Sequence, residues 1–179
     1  MAGSVHSGLK HAARLLGAAI LALALAGCRW TSGAPLLTKD VSDWSPLKPG
    51  TYVHGSESYD VAGDREGPVV VTSHVENDTQ TYTVAFQKLG GKFFLVQAIN
   101  GAEINYLIIE TNKDGFIQYR PDCKDESRSI AAASGATVDT NEACQFPNLG
   151  ALRKASKTAA ASIKSGGAGF SGEAFIRKQ

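Results

Sequence analysis

Between Val69 and Arg120 apolar and polar residues alternate with a period of two, and turn residues interrupt the pattern about every ten positions. In one stretch Tyr82, Val84 and Phe86 share a side, while Thr81, Thr83, Ala85 and Gln87 share the other. Gly90-Gly91 supplies a hairpin signal, and Phe93–Ala98 returns. Asn100-Gly101 marks the next turn before Glu103–Glu110, where Ile104, Tyr106 and Ile108 alternate with Asn105, Leu107 and Ile109. Lys113-Asp114-Gly115 turns into Phe116–Arg120. Upstream, Thr51–His54 and Val69–Val75 read as strands, with Asn77-Asp78 as turn residues. The pattern predicts a curved antiparallel β-meander of about five to six strands, strongly bent or partly closed into a barrel.

The period changes after Pro121. A short helix is expected around Ser127–Ser134, and a longer one from Leu149 to Ile163 with Asn148 as its cap. Leu149, Leu152, Ser156, Ala159 or Ala160, and Ile163 fall on one side of that helix, and Gly166-Gly167 ends it. The fold class expected is α+β, with the sheet packed by this one C-terminal helix. The last residues, GEAFIRKQ, are read as a short strand or a loose tail.

The N-terminus follows a different logic. Lys10 and Arg14 precede an apolar run from Leu15 to Ala26. Its length, about a dozen residues, suits an export signal and falls short of the ~20 of a spanning helix. The run ends in Leu25-Ala26-Gly27-Cys28. This resembles the lipobox of bacterial lipoprotein precursors. The resemblance implies diacylglycerol on the Cys28 sulfur, cleavage before Cys28, and residence in the bacterial cell envelope with the membrane as a partner. Two or three acyl chains hold a protein stably where one does not. Arg29 is not the Asp that retains such proteins at the inner membrane in enteric bacteria, so the resemblance points to the outer membrane, facing the periplasm. The division expected is 1–27 as signal, 28–49 as lipidated N-terminus and tether, 50–165 as one β-rich domain and 166–179 as a Gly-rich tail. Trp30 is expected at the headgroup level, and Trp44 where the chain joins the core.

Removing the signal leaves 16 Lys and Arg against 17 Asp and Glu, a formal charge of −1. A nucleic-acid binder would be clearly basic. With Cys28 lipidated, Cys123 and Cys144 remain, and an oxidising envelope favours a disulfide between them. Two free thiols or half a metal site are the alternatives, but neither cysteine has a neighbouring His and no CxxC occurs.

Candidate chemistry is sparse. After the signal the histidines are His54, near Glu57 and Asp60, and His74. They would form a metal or hydrolytic site only if the strands brought them together. No G-x-S-x-G elbow occurs, and the acids suited to glycoside cleavage lie mostly at turns and strand ends. The balance falls against an enzyme, and no cofactor is called for. Aromatic residues on the strands, above all Tyr82, Phe86, Phe93 and Tyr106, are candidates to line an apolar ligand cavity if the sheet closes. The function expected is therefore a lipid-anchored, non-enzymatic module that binds an apolar ligand or an envelope protein. The alternative is a small envelope hydrolase or metal-dependent enzyme using His54 and His74.

Overall fold

A computed structural model describes residues 29–63, 69–75, 78–167 and 169–179. Residues 1–27, read above as a signal, and Cys28 lie outside the described residues. The strands are β1 (Trp30–Thr31), β2 (Gly50–His54), β3 (Glu57–Ala62), β4 (Val69–Val75), β5 (Asp78–Gly90), β6 (Phe93–Asn100), β7 (Glu103–Thr111), β8 (Gly115–Tyr119), β9 (Thr137–Val138), β10 (Cys144–Gln145) and β11 (Gly172–Arg177). The helices are α1 (Asp125–Ala133) and α2 (Leu149–Lys164).

Strands β2 to β8 run as an antiparallel meander, and β11 pairs antiparallel with both β8 and β2. Every neighbour in that cycle is hydrogen-bonded, so eight strands close into a barrel. The partly closed meander of five to six strands packed by one C-terminal helix is thus corrected. The chain is mostly β, a closed eight-stranded antiparallel barrel with three extra strands and two short helices among the described residues. Two elements account for the difference. ESYDVA forms β3 although only Val61 in it is buried, and GEAFIR closes the barrel as β11 through Phe175, which is 1% exposed. Closure removes the sheet edges that β2 and β8 would otherwise present.

Close packing explains the glycines before and opposite β11. A side chain at Gly115 would run into the Phe175 carbonyl, so β8 and β11 meet only because that position is bare. A Cβ on Gly169 would come within 2.6 Å of Glu126, whose Oε2 accepts from the Gly169 N–H. The Gly-rich stretch after α2 lets the chain slip past α1 and reach the barrel.

The wall has two apolar faces. Inside lie Tyr52, Val61, Val69, Val84, Phe86, Val96, Ile109, Phe116 and Phe175. Outside, Leu95, Ile104, Tyr106, Ile108 and Tyr119 pack against Trp30, Phe146 and the helix residues Ala131, Leu152, Ala155 and Ala159. Asn148 caps α2 by accepting from Ala151 N–H at 2.9 Å, and small residues on its inner face bring it close to the wall. Arg153, Lys154 and Lys157 face out. The disulfide Cys123–Cys144, with a Cα separation of 5.3 Å, ties the segment after β8 to β10.

Residues 29–49, whose composition suggests a tether, lie along the barrel. Trp30 is fully buried, with its ring edge-on to Phe146. It pairs antiparallel with Tyr106 on β7 and parallel with Cys144 on β10. The buried Gln97 side chain clips the following segment: its Oε1 accepts from Leu36 and Leu37 N–H, and its Nε2 donates to the Leu37 carbonyl. Asp43 bridges to Phe86 on β5, and Leu47 then packs into the interior cluster. Trp44, by contrast, is 63% exposed.

Candidate functional site

An eight-stranded barrel has an interior just wide enough to be filled by side chains or to hold one small ligand. Here the filling is incomplete. At one end Tyr52, Phe116 and Phe175 form an aromatic stack, Phe175 lying nearly parallel to Phe116 at 5.2 Å and to Tyr59 at 4.6 Å. Leu47 and Phe86 are buried with them. Toward the other end a cavity of about 550 Å³ remains, with Val61, Val84, Val96, Ala98 and Ile109 among its walls. Small-molecule sites span roughly 300–1,000 Å³.

The open end is polar. It is built from residues at or near the ends of strands, Glu57 on β3, Asp78 and Gln80 on β5, Glu103 and Asn105 on β7, and Gln118 and Arg120 at the end of β8. Arg29 also lines it. Strand alternation places Phe116, Gln118 and Arg120 on the same inner face. Arg120 donates from Nη2 to the Tyr59 hydroxyl at 2.8 Å. It lies 3.7 Å from Glu173 and 4.0 Å from Glu57. With its amide oxygen turned toward Arg120, Gln118 accepts from Nε and Nη2 at 2.6 and 2.9 Å. Burial works against this guanidinium's charge, but Tyr59, Glu173 and Glu57 more than offset it and hold its pKa above the ordinary value.

Among the described lining residues both arginines are matched, since Arg29 pairs with Glu103 at 3.5 Å. Asp78 adds a carboxylate that accepts from Gln80 Nε2 at 2.7 Å. At the wall, Asn105 Oδ1 and Arg29 Nε have no hydrogen-bond partner among the described residues.

The expected ligand-lining residues divide. Tyr82 and Phe86 line the cavity. Burial raises the Tyr82 pKa, and its hydroxyl donates to Gln80. Phe93 is on the outer face and packs in the layer beneath the helices. Tyr106 borders the cavity, but its hydroxyl is engaged outside, 2.7 Å from Ser32 Oγ and donating to Gln97 at 3.1 Å. Arg120 and Gln118 were not singled out by sequence reasoning, which named Glu57 only as an acid near His54. The available signal was a charged residue in phase with Phe116 on a strand.

The two histidines are not brought together. His74 Nε2 is 3.0 Å from Asp60 Oδ2, and Asp60 also accepts from Thr51 Oγ1. The Thr51 bond, followed by His74, outweighs burial and lowers the Asp60 pKa. His54 pairs with Glu57 across β2–β3, whereas His74 pairs with Ser58 across β3–β4. That one-residue offset puts the histidines on opposite faces of the wall. His54 Nδ1 lies 2.9 Å from the Ala174 carbonyl. No cluster of three metal-ligating residues occurs among the described residues.

The apolar face of β3 to β5 points inward, while Asp60, Thr72, His74, Thr81 and Thr83 point outward. A transmembrane barrel has the reverse arrangement. No helix among the described residues is long and apolar enough to cross a membrane. Comparison of the chain with protein-family models, with curated proteins and with solved structures finds no match.

Proposed function

We propose that this protein is a lipid-anchored component of the bacterial cell envelope, at the outer membrane and facing the periplasm, that binds one amphiphilic small molecule inside its barrel. The observation that carries the binding reading is the cavity of about 550 Å³ with apolar walls and a polar open end. The anchor rests on Leu25-Ala26-Gly27-Cys28, and the Cys123–Cys144 disulfide suits an oxidising compartment.

The charge pattern of the open end narrows the ligand. An anionic headgroup would compete with Glu103 for Arg29 and with Glu57 and Glu173 for Arg120, and would meet Asp78 as well. A long-chain molecule with an uncharged hydrogen-bonding head, or a cationic one, meets no such opposition. Its tail displaces no ordered polar contact along Val61, Val84, Val96 and Ala98.

Lipid mass spectrometry on protein extracted gently from its own envelope tests this. A bound amphiphile is expected in the wild type and absent from Ala98→Trp, which fills the cavity. Equal recovery from both would contradict the assignment. Among matched long-chain probes, the alcohol and the amine are expected to bind more tightly than the carboxylate. For the anchor, mass spectrometry of the mature N-terminus is expected to show an acylated Cys28.

A further inference from the structure

We infer that the outward face of α2 is a docking surface for an anionic phospholipid bilayer. The choice of a lipid partner rests on the anchor reading above, because acylation would confine the protein to a membrane. The cavity reading is not needed for it.

Charge is segregated on this helix. α2 carries Arg153, Lys154, Lys157 and Lys164 and no acid from Leu149 to Lys164. All four cations are exposed. The chain that follows the expected signal balances to −1, so the rest of it is acidic on balance. At about 100° per residue, Arg153, Lys157 and Lys164 fall within about 40° of one another along about 16 Å of helix. Ala155 and Ala159, buried against the wall, lie on the other side. Helix α1 packs on a different flank. Lys154 Nζ donates to the Ala133 carbonyl at its end at 2.9 Å, and Ser162 Oγ donates to Glu126. Arg153, Lys157 and Lys164 thus lie away from the acids of α1. Among the described residues none of these three makes an ion pair. The pairs that occur lie on barrel strands and their ends.

The shape of the face selects the partner. No residue of α2 lines the barrel cavity, so these cations serve a surface and not an enclosed ligand. The exposed residues among them are Gly150, Thr158 and Ala161, which have no bulk to insert between lipid tails. The contact is electrostatic, with the helix lying flat against the headgroups. A row of separated, flexible cations matches a continuous anionic sheet better than a single phosphate. Such attraction falls off within a Debye length, about 8 Å at physiological salt. An acyl anchor supplies the proximity, and a basic patch beside it is a second membrane signal.

The test uses the full-length, acylated protein on vesicles carrying a headgroup quencher, with a dye at Ala161→Cys on α2. Several-fold stronger quenching is expected on phosphatidylglycerol than on phosphatidylcholine. Arg153→Gln with Lys157→Gln and Lys164→Gln is expected to abolish that difference, as is salt near 1 M, where the Debye length is about 3 Å. The matched change Lys48→Gln with Lys113→Gln and Lys178→Gln removes as much charge elsewhere and is expected to keep it. Circular dichroism checks that each variant is folded. An equal response on the two vesicle types, or one that survives the α2 triple change, would overturn the docking face. Failure of the full-length protein to stay on phosphatidylcholine vesicles would strike the anchor reading instead. The face is then read from the soluble Cys28→Ser protein, which is expected to sediment with phosphatidylglycerol vesicles and to lose this with the α2 triple change. Capture by polyglutamate without vesicle binding would overturn the lipid assignment.

Discussion

The inner and outer faces of the same barrel wall are packed to different standards. Outside, Trp30, Phe146, Leu152, Ala155 and Ala159 fill the space against β5 to β8, each at 1% exposure or less, and a disulfide crosses the layer. Inside, one end is closed by stacked aromatics while the other keeps about 550 Å³ open behind a polar rim. Stability and binding are thereby divided between the faces. The outer layer holds the strands in a cylinder, so the interior need not be filled for the barrel to stand.

That division predicts unequal responses to mutation. The largest effect belongs to the outer layer: Trp30→Ala is expected to lower unfolding free energy by about 3–5 kcal/mol in denaturant titration, because it leaves a large void in a packed site. Removing the disulfide by Cys123→Ala with Cys144→Ala frees a loop of 21 residues and is expected to cost about 3 kcal/mol. A matched pair of enlargements sharpens the contrast. Ala155→Leu, between α2 and the wall, is expected to destabilise by about 1–3 kcal/mol through overpacking. Ala98→Leu, which faces the cavity, is expected to stay within about 1 kcal/mol of wild type and to weaken ligand binding. Comparable losses at both positions would mean that the interior is as tightly filled as the outer layer.

The smallest effect concerns the exposed Asp60–His74 pair. The Asp60 pKa is held below its unfolded value, which is about 3.9. Its contribution is therefore present above that value and is lost as pH falls through the folded one. Asp60→Asn is expected to shave off a small part of the acid-limb slope below about pH 4, with no effect on ligand binding. A change in binding would tie the outer histidine to the cavity.

The sequence displayed some of this and hid the rest for identifiable reasons. Strands β5 to β8 and helix α2 were legible because the turns Gly90-Gly91, Asn100-Gly101 and Lys113-Asp114-Gly115 punctuate clean periodicities. Closure was not. β3 carries Glu57, Ser58 and Asp60 and so lacks an apolar rhythm, and β11 is six residues whose register depends on bare glycines elsewhere. Which aromatics face inward was half legible. Along β5 the outer positions include Thr81, Thr83 and Gln87, so Tyr82 and Phe86 stand out. Along β6 and β7 both faces are covered, so Phe93 and Phe94, or Tyr106 and Leu107, look alike in sequence though they point oppositely. Trp30 lies in a stretch of Ser, Thr, Gly and Pro that resembles a spacer. Its burial follows from the gap left beside β7 where β8 ends before Pro121.

The central claim is that the unfilled interior is a binding site. Fluorescence titration of the disulfide-bonded Cys28→Ser protein with a neutral naphthylamine probe tests it most directly, with Ala98→Trp in the same background as the control and circular dichroism confirming that both are folded. One saturable site per chain, abolished by Ala98→Trp, is the expected result. No saturable binding, or the same binding in both proteins, would contradict the account.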